Sequence, residues 1–390
     1  MSVWIPSKQA LERLEVRPQT LYAYVSRGLV AARPDPADPR RSLYSGDDIE
    51  ALRTRRARGR RARQVAQNAI AWGEAVLPTS ISTIAHGRLY YRQHDAAVLA
   101  RAATLEEVAA LLWDVEPQSV HAGRVMECDR ERGPTTAAMT LLAREAADGM
   151  PTLGRSRFAL ATEAGPLLAG VASALGAETI REGDIAASFA TAWRCTGTAA
   201  ELVRMALVIL ADHELNASTF ATRVAASTGA PLAAALLAGF STLLGPRHGG
   251  VAAQLRAFAA DSMRTGATAA TTDWMRRGEM LPGFGHRLYQ GIDPRAEILL
   301  SRFAPPAHLA ELAAAVHELA GWRPNVDFAL VAMSEAFDLP DDAPFRLFAA
   351  GRCCGWLAHA MEQAATGQLI RPRARYDGPP LVPQGGMGTD

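Results

Sequence analysis

Apolar side chains return every three or four residues along most of the chain from Thr104 onward, in segments rich in alanine, leucine, glutamate and arginine. Leu105, Val108, Ala109, Leu111 and Leu112 form one such stripe. A helix with one buried face has this period, whereas a half-buried strand alternates every second residue. Comparable segments recur at 135–147, 156–175, 184–195, 198–212, 217–229, 231–244, 249–265, 296–303, 307–320, 326–337 and 344–367. They predict an all-α body with scarcely any sheet and no internal repeat. At 390 residues, 49% of them apolar, the chain can bury a large core, and its length suggests two or three domains. The longest apolar stretch, 231–244, is too short to cross a bilayer, so no membrane partner is expected.

The N-terminal part has a different character. Net charge is +1 overall, yet Met1 to Arg63 carries 14 basic and 7 acidic residues, a local +7. Such asymmetry fits a basic nucleic-acid-binding module or a solvated basic tail. Ser7 is a good cap for a helix through Ala10, Leu11 and Leu14, and Pro18 suits the first turn of a second helix reaching Arg27. That second helix carries Gln19, Thr20, Tyr22, Tyr24, Ser26 and Arg27, residue types that contact phosphates and base edges. Asp38-Pro39-Arg40-Arg41-Ser42-Leu43-Tyr44 is expected to form a short wing, and a third helix starts near Ser45. The pattern resembles the MerR and excisionase type of winged helix-turn-helix, a domain placed at 1–62. Seven arginines between Arg53 and Arg63 either track phosphates or form a solvated helix and linker, with 63–78 assigned as linker. The body is expected to begin near Pro78, and alternation around His86-Gly87 predicts a hairpin over Ile81–Arg92.

Lys8 is the only lysine, which excludes a P-loop lysine or a Schiff base in the body and leaves charge recognition there to arginine. Cys128, Cys195, Cys353 and Cys354 have neither Cys-x-x-Cys spacing nor a disulfide framework, which fits a reducing cytoplasm. No signal peptide is expected at the start of this sequence.

Three histidines stand beside glycine-rich or capping segments that place a side chain at the end of an element. They are His213 in Asp212-His213-Glu214, His248 in Gly245-Pro246-Arg247-His248-Gly249-Gly250, and His286 in Gly283-Phe284-Gly285-His286. His248 is placed at a helix start, where the dipole disfavours an imidazolium. His94, His121, His308, His317 and His359 take ordinary structural roles in this reading. A zinc site built from the three singled-out histidines is a rival, weakened by the lack of i, i+4 or His-x-His spacing, and no metal is assigned. Asp327 in Asn325-Val326-Asp327-Phe328 supplies a carboxylate that can take a proton from carbon.

In content, order and local sequence this set resembles the citrate synthase family, over roughly Ser80 to Tyr376. The resemblance implies an acyltransferase with no cofactor beyond a coenzyme A thioester used as substrate. Asp327 would deprotonate the methyl carbon of acetyl-CoA, His248 would stabilise the enol at the thioester oxygen, and His286 would polarise the ketone of oxaloacetate. His213, Arg295, Arg352 and Arg371 would bind oxaloacetate, with Arg371 reaching from the neighbouring subunit of a homodimer. Propionyl-CoA, giving 2-methylcitrate, is a close variant. The implied body has a large domain at 79–248 and 333–376, a small domain at 249–332, and a C-terminal tail at 377–390. Departures are Gln290 in place of a basic residue, Phe328-Ala329-Leu330-Val331 after Asp327, and a short interval from His286 to Asp327. The rival reading is a DNA-binding regulator whose body senses oxaloacetate or acyl-CoA, with DNA held by residues 1–62.

Overall fold

The computed structural model describes residues 4–50 except 15, 17, 27, 28 and 37, and residues 77–379 except 118, 119, 121–129, 178–183, 279, 290 and 375. The arginine run 53–63, His121, Cys128, Gln290 and most of the expected linker lie outside the described residues, as does nearly all of the tail. The chain divides into two compact units, Met1–Pro78 and Thr79–Asp390.

In the first unit, strand Asp38–Ser45 pairs antiparallel with Trp4–Pro6 on one side and Ala32–Asp35 on the other. The segment expected as a short wing is therefore the central strand of a small sheet. Helices Ser7–Leu14 and Pro18–Ser26 precede the hairpin, with Ser7 as the first helical residue and Pro18 in the first turn, where its missing N–H has no helical partner to lose. Ile5, Ala10, Leu14, Leu21, Val30, Tyr44 and Ile49 make a core of the unit's own, while Leu29 stays exposed.

The second unit opens with the expected hairpin, Ser82–Ala85 against Arg88–Tyr91. His86 (φ 51°) and Gly87 (φ 73°) both take positive φ, the conformation a two-residue hairpin turn requires. The remainder is helical: among the described residues, helices run from Ala96–Ala102 to Ala343–Thr366, and none is long and apolar enough to cross a membrane. Two apolar clusters form the core. The larger draws on most of the helices, and the smaller unites Leu255, Phe258, Leu281, Phe284, Leu309, Leu312, Val316 and Phe328. Helix Val326–Ala336 serves both: Val326, Ala329, Leu330 and Met333 pack in the larger cluster, Phe328, Val331 and Ala332 in the smaller. Asp327 thus sits on the element the two clusters share. Helix Pro294–Leu300 begins earlier than its apolar spacing suggests, because Asp293 caps it and Pro294 fits its first turn.

Helix Ala343–Thr366 is the axis of the larger cluster, buried on nearly every side from Leu347 to Met361, with Cys353 and Cys354 fully inside. Glycines let it approach the end of helix Gly197–Ile209 closely. A Cβ on Gly355 would lie 2.3 Å from Asp212 Oδ1 and 2.4 Å from the carbonyl of Ala211. Gly355→Ala should therefore lower stability by about 2 kcal/mol, because overpacking against a backbone carbonyl outweighs the ~1 kcal/mol alanine gains in helix propensity. Urea denaturation of the variant and the parent measures this directly, and equal or higher stability would contradict the packing described.

Candidate active site

The chain reaches His213 three residues beyond the Leu210 C-cap of helix Gly197–Ile209, in a stretch held on all sides. The Tyr91 hydroxyl bonds the carbonyls of Val208 (3.0 Å) and Ile209 (2.9 Å). The Ser82 hydroxyl donates to Asp212 Oδ2 and accepts from Glu214 N at 3.0 Å, so one residue grips both neighbours of His213. Glu214 takes φ 51°, a left-handed backbone rare outside glycine, and its carboxylate accepts from Ile84 N at 2.6 Å. The hairpin therefore supports this strained turn.

Glycine turns deliver His286. Gly283 (φ 82°) and Gly285 (φ 69°) bring it beside His213, with ring centroids 5.1 Å apart, edge to face. Leu288 N donates to His286 Nδ1 at 3.2 Å, which leaves the proton of the neutral ring on Nε2. Tyr289 shares a 2.9 Å hydrogen bond with His213 Nε2, which occupies that ring nitrogen. Asn325 locks this turn to the next element: its Nδ2 donates to Gly285 O at 3.1 Å, while its Oδ1 caps helix Val326–Ala336 through Asp327 N and Phe328 N.

Asp293 joins three parts of the site. Its carboxylate accepts from Arg295 N, Nε (3.0 Å each) and Nη2 (2.8 Å), and from Val326 N at 3.1 Å. Arg295 is thus an internally paired cation with two of its side-chain nitrogens committed to Asp293. Arg352 is the opposite case. It is 1% exposed, its Nε donates to Leu210 O at 2.9 Å, and its Nη1 and Nη2 are buried without a partner among the described residues. A planar fork of unused N–H groups is a receptor for a carboxylate.

His248 stands in the turn before helix Val251–Thr265, its Nε2 2.8 Å from the Ser218 hydroxyl. Ser218 also donates to Asn216 Oδ1 (2.7 Å) and accepts from Trp356 Nε1 (3.2 Å). With one hydroxyl proton to place, Ser218 sets which imidazole nitrogen of His248 is protonated. The Phe348 ring lies 6.0 Å from that imidazole and 4.7 Å from the Arg352 guanidinium carbon, tying His248 to the carboxylate receptor.

Electrostatics follow from burial and from the two arginines. His248 is held down at about 4 by burial and Arg352, and His286 at about 4 by burial and Arg295. His213 lies well below the usual histidine range through burial, with Arg295, Arg352 and His286 adding to it. Burial and Arg352 keep His248 neutral. Burial pushes Asp327 up to about 6 against the pull of Arg295, with Asp293 assisting the rise. Burial brings Arg352 down to about 10, with Asp212 opposing the fall. The set therefore offers neutral imidazoles as hydrogen-bond donors, a carboxylate poised as a base near neutral pH, and a dry cation.

His213, His286, Arg295 and Arg352 share one electrostatic neighbourhood with Asp327, and Phe348 connects His248 to Arg352. Arg371 lies exposed beyond the end of helix Ala343–Thr366, with no contact to this cluster among the described residues. Among those residues no group of three His, Cys, Asp or Glu side chains is arranged to hold a metal ion. Tyr289, Asp293, Asn325, Asn216 and Ser218 also build the site, without a role expected from the sequence. Asn216, Asp293 and Asn325 each precede a helix, so a cap signal was present. Nothing local marks Ser218 or Tyr289.

The chain is similar to known proteins in both sequence and fold. Residues 134–373 match the family model described as citrate synthase, C-terminal domain. A citrate synthase of Haloferax volcanii is 39% identical over 193 residues, 46% of this chain and 50% of that protein. A putative citrate synthase 2 of Mycobacterium tuberculosis is 40% identical over 185 residues, 44% of this chain and 50% of that protein. The chain thus spans about half the length of the curated relatives it matches. The structure of the citrate synthase of Thermoplasma acidophilum, in ternary complex with carboxymethyl coenzyme A and oxaloacetate, superposes with a TM-score of 0.66 at 25% identity, covering 81% of this chain and 97% of that one. That of Pyrobaculum aerophilum gives a TM-score of 0.65 at 25% identity, covering 80% and 93%.

In an NMR titration, the ring resonances of His248 and His286 should stay in their neutral form down to about pH 5 and shift only as pH falls through about 4. Midpoints near the free-histidine value of ~6.5 would show that the rings are hydrated and distant from the arginines.

Proposed function

We propose that this chain, which belongs to the citrate synthase family, condenses oxaloacetate with the acyl group of acetyl-CoA to give citrate and free coenzyme A, with propionyl-CoA as a variant donor giving 2-methylcitrate. The observation that carries this reading is the convergence of a buried arginine with an unpaired fork, neutral imidazoles, and a carboxylate raised to about 6. The thioester methyl is a weak carbon acid, so its deprotonation needs a base and immediate stabilisation of the oxyanion. Asp327 takes the proton. His248 donates to the thioester oxygen through Nδ1 once Ser218 turns its hydroxyl proton toward Nε2. The enol carbon attacks the ketone of oxaloacetate, which His286 Nε2–H polarises by hydrogen-bonding the developing alkoxide, and the proton that Asp327 removed goes back to that oxygen. Water then cleaves the citryl thioester, releasing citrate and the thiol.

Arg352 takes one carboxylate of oxaloacetate, and Arg295, already braced by Asp293, supplies field and its remaining edge. Arg371 completes the clamp from the neighbouring copy in a homodimer. The large domain at 79–248 and 333–376 and the small domain at 249–332 close over the substrates, with helix Val326–Ala336 anchored in both apolar clusters. Closure excludes water before enolisation. No resident cofactor enters the reaction, and a cytoplasmic setting suits the substrates.

The first unit has a separate role in this reading, as a winged helix-turn-helix that binds duplex DNA. Supporting this are its +7 charge over Met1–Arg63, the exposed Gln19 on helix Pro18–Ser26, and the exposed Arg33 and Arg41 on the hairpin. Full-length protein should bind a labelled duplex at low salt, weaken steeply as salt rises, and weaken further with Arg41→Ala. No binding at low salt would leave the unit with a structural role only.

For the reaction, purified protein with oxaloacetate and acetyl-CoA should release thiol, and Asp327→Asn should lower kcat by at least ~100-fold, the scale of a lost general base. Because the base must be ionised, kcat/KM should be full well above pH 6 and fall as pH drops through about 6. Near-normal turnover by Asp327→Asn would assign proton abstraction to another group.

A further inference from the structure

Arg352, Gly355 and His359 stand at i, i+3 and i+7 on helix Ala343–Thr366, a spacing that puts them on one face. Each grips a successive residue of the segment leading into His213. Arg352 Nε donates to Leu210 O at 2.9 Å, Gly355 N donates to Ala211 O at 2.9 Å, and His359 Nε2 lies 3.3 Å from Asp212 Oδ2. From the other side, Ser82 holds Asp212 and Glu214 together. His359 and Asp212 are both fully buried and distinct from the groups assigned to chemistry above.

This pair is not arranged for stability alone. His359 Nδ1 and Asp212 Oδ1 are buried and make no hydrogen bond among the described residues. Orphaned polar atoms are a cost that apolar side chains of similar volume would avoid. Because a carboxylate only accepts, the contact places a proton on His359 Nε2, directed at Asp212. What the pair supplies is direction: it fixes the peptide on which His213 is mounted relative to the helix that carries Arg352.

We infer that His359 and Asp212 are positioning residues that set the distance between His213 and Arg352, and so the fit of the bound dicarboxylate, without touching it. The inference rests on the reaction proposed above. Outer groups that orient the ligands of metal sites typically matter by ~10–100-fold, and the same scale is expected of this support.

The test uses full-length His359→Leu, which removes the donor, and His359→Gln, whose amide N–H can replace it. His359→Leu should raise the KM and Kd for oxaloacetate by ~10- to 100-fold, with the KM for acetyl-CoA unchanged and kcat altered less. His359→Gln should restore most of the loss. In parallel, the His213 ring resonance should move in His359→Leu and return in His359→Gln, a readout independent of turnover. Wild-type oxaloacetate affinity in a folded His359→Leu, equal impairment in both variants, or an unmoved His213 resonance would overturn the inference. Should His359→Leu fail to fold, Ser82→Ala loosens the same grip and must raise the oxaloacetate KM in the same selective way; wild-type values there would overturn it equally. A wild-type protein that neither binds oxaloacetate nor releases thiol would overturn the reaction instead, and the His213 resonance would still decide the positioning role.

Discussion

A guanidinium held out of water with two of its nitrogens unsatisfied among the described residues is costly, and much of the site is arranged around it. Burying a charge without full pairing costs several kcal/mol even after relaxation. Arg352 recovers part of that through Leu210 O and the nearby carboxylate of Asp212, and the rest stays available for a ligand anion. The same cation, with Arg295, makes protonation of the adjacent imidazoles unfavourable. One placement of charge thereby creates both the anion receptor and the neutral donors the proposed chemistry requires.

Holding such a site open demands rigid supports, and the fold provides them at element ends. Asn325 ties the glycine turn of His286 to the helix of Asp327, and Asp293 ties that helix to Arg295. Gly355 allows the central helix to press against the segment that carries His213. The positive φ of Glu214 is tolerated because the hairpin clamps both sides of the turn. Strain of this kind persists only where surrounding contacts over-determine the geometry.

Much of this was legible in the sequence. Helical spacing predicts the body, His86-Gly87 predicts the hairpin, and histidines beside glycine-rich or capping segments mark the candidate site. Other features were hidden for physical reasons. Helix Ala343–Thr366 is buried nearly all round, so its pattern has no polar face to reveal which residues meet which neighbours. His359 read as an ordinary structural histidine because its partner, Asp212, is 147 residues away. The sheet of the first unit was anticipated only as a wing, since two of its strands are three or four residues long. Arg295 read as a free clamp, and only the folded geometry reveals its commitment to Asp293.

The most direct test of the central claim is calorimetric titration of oxaloacetate, without acyl-CoA, into the parent protein and Arg352→Met. If the unpaired fork is the carboxylate receptor, the parent binds and the variant, still folded by circular dichroism, loses affinity by ~100-fold or more, the scale of a lost charge-assisted pair. Equal affinity in the two proteins would show that the anion is held elsewhere and would contradict the account at its root.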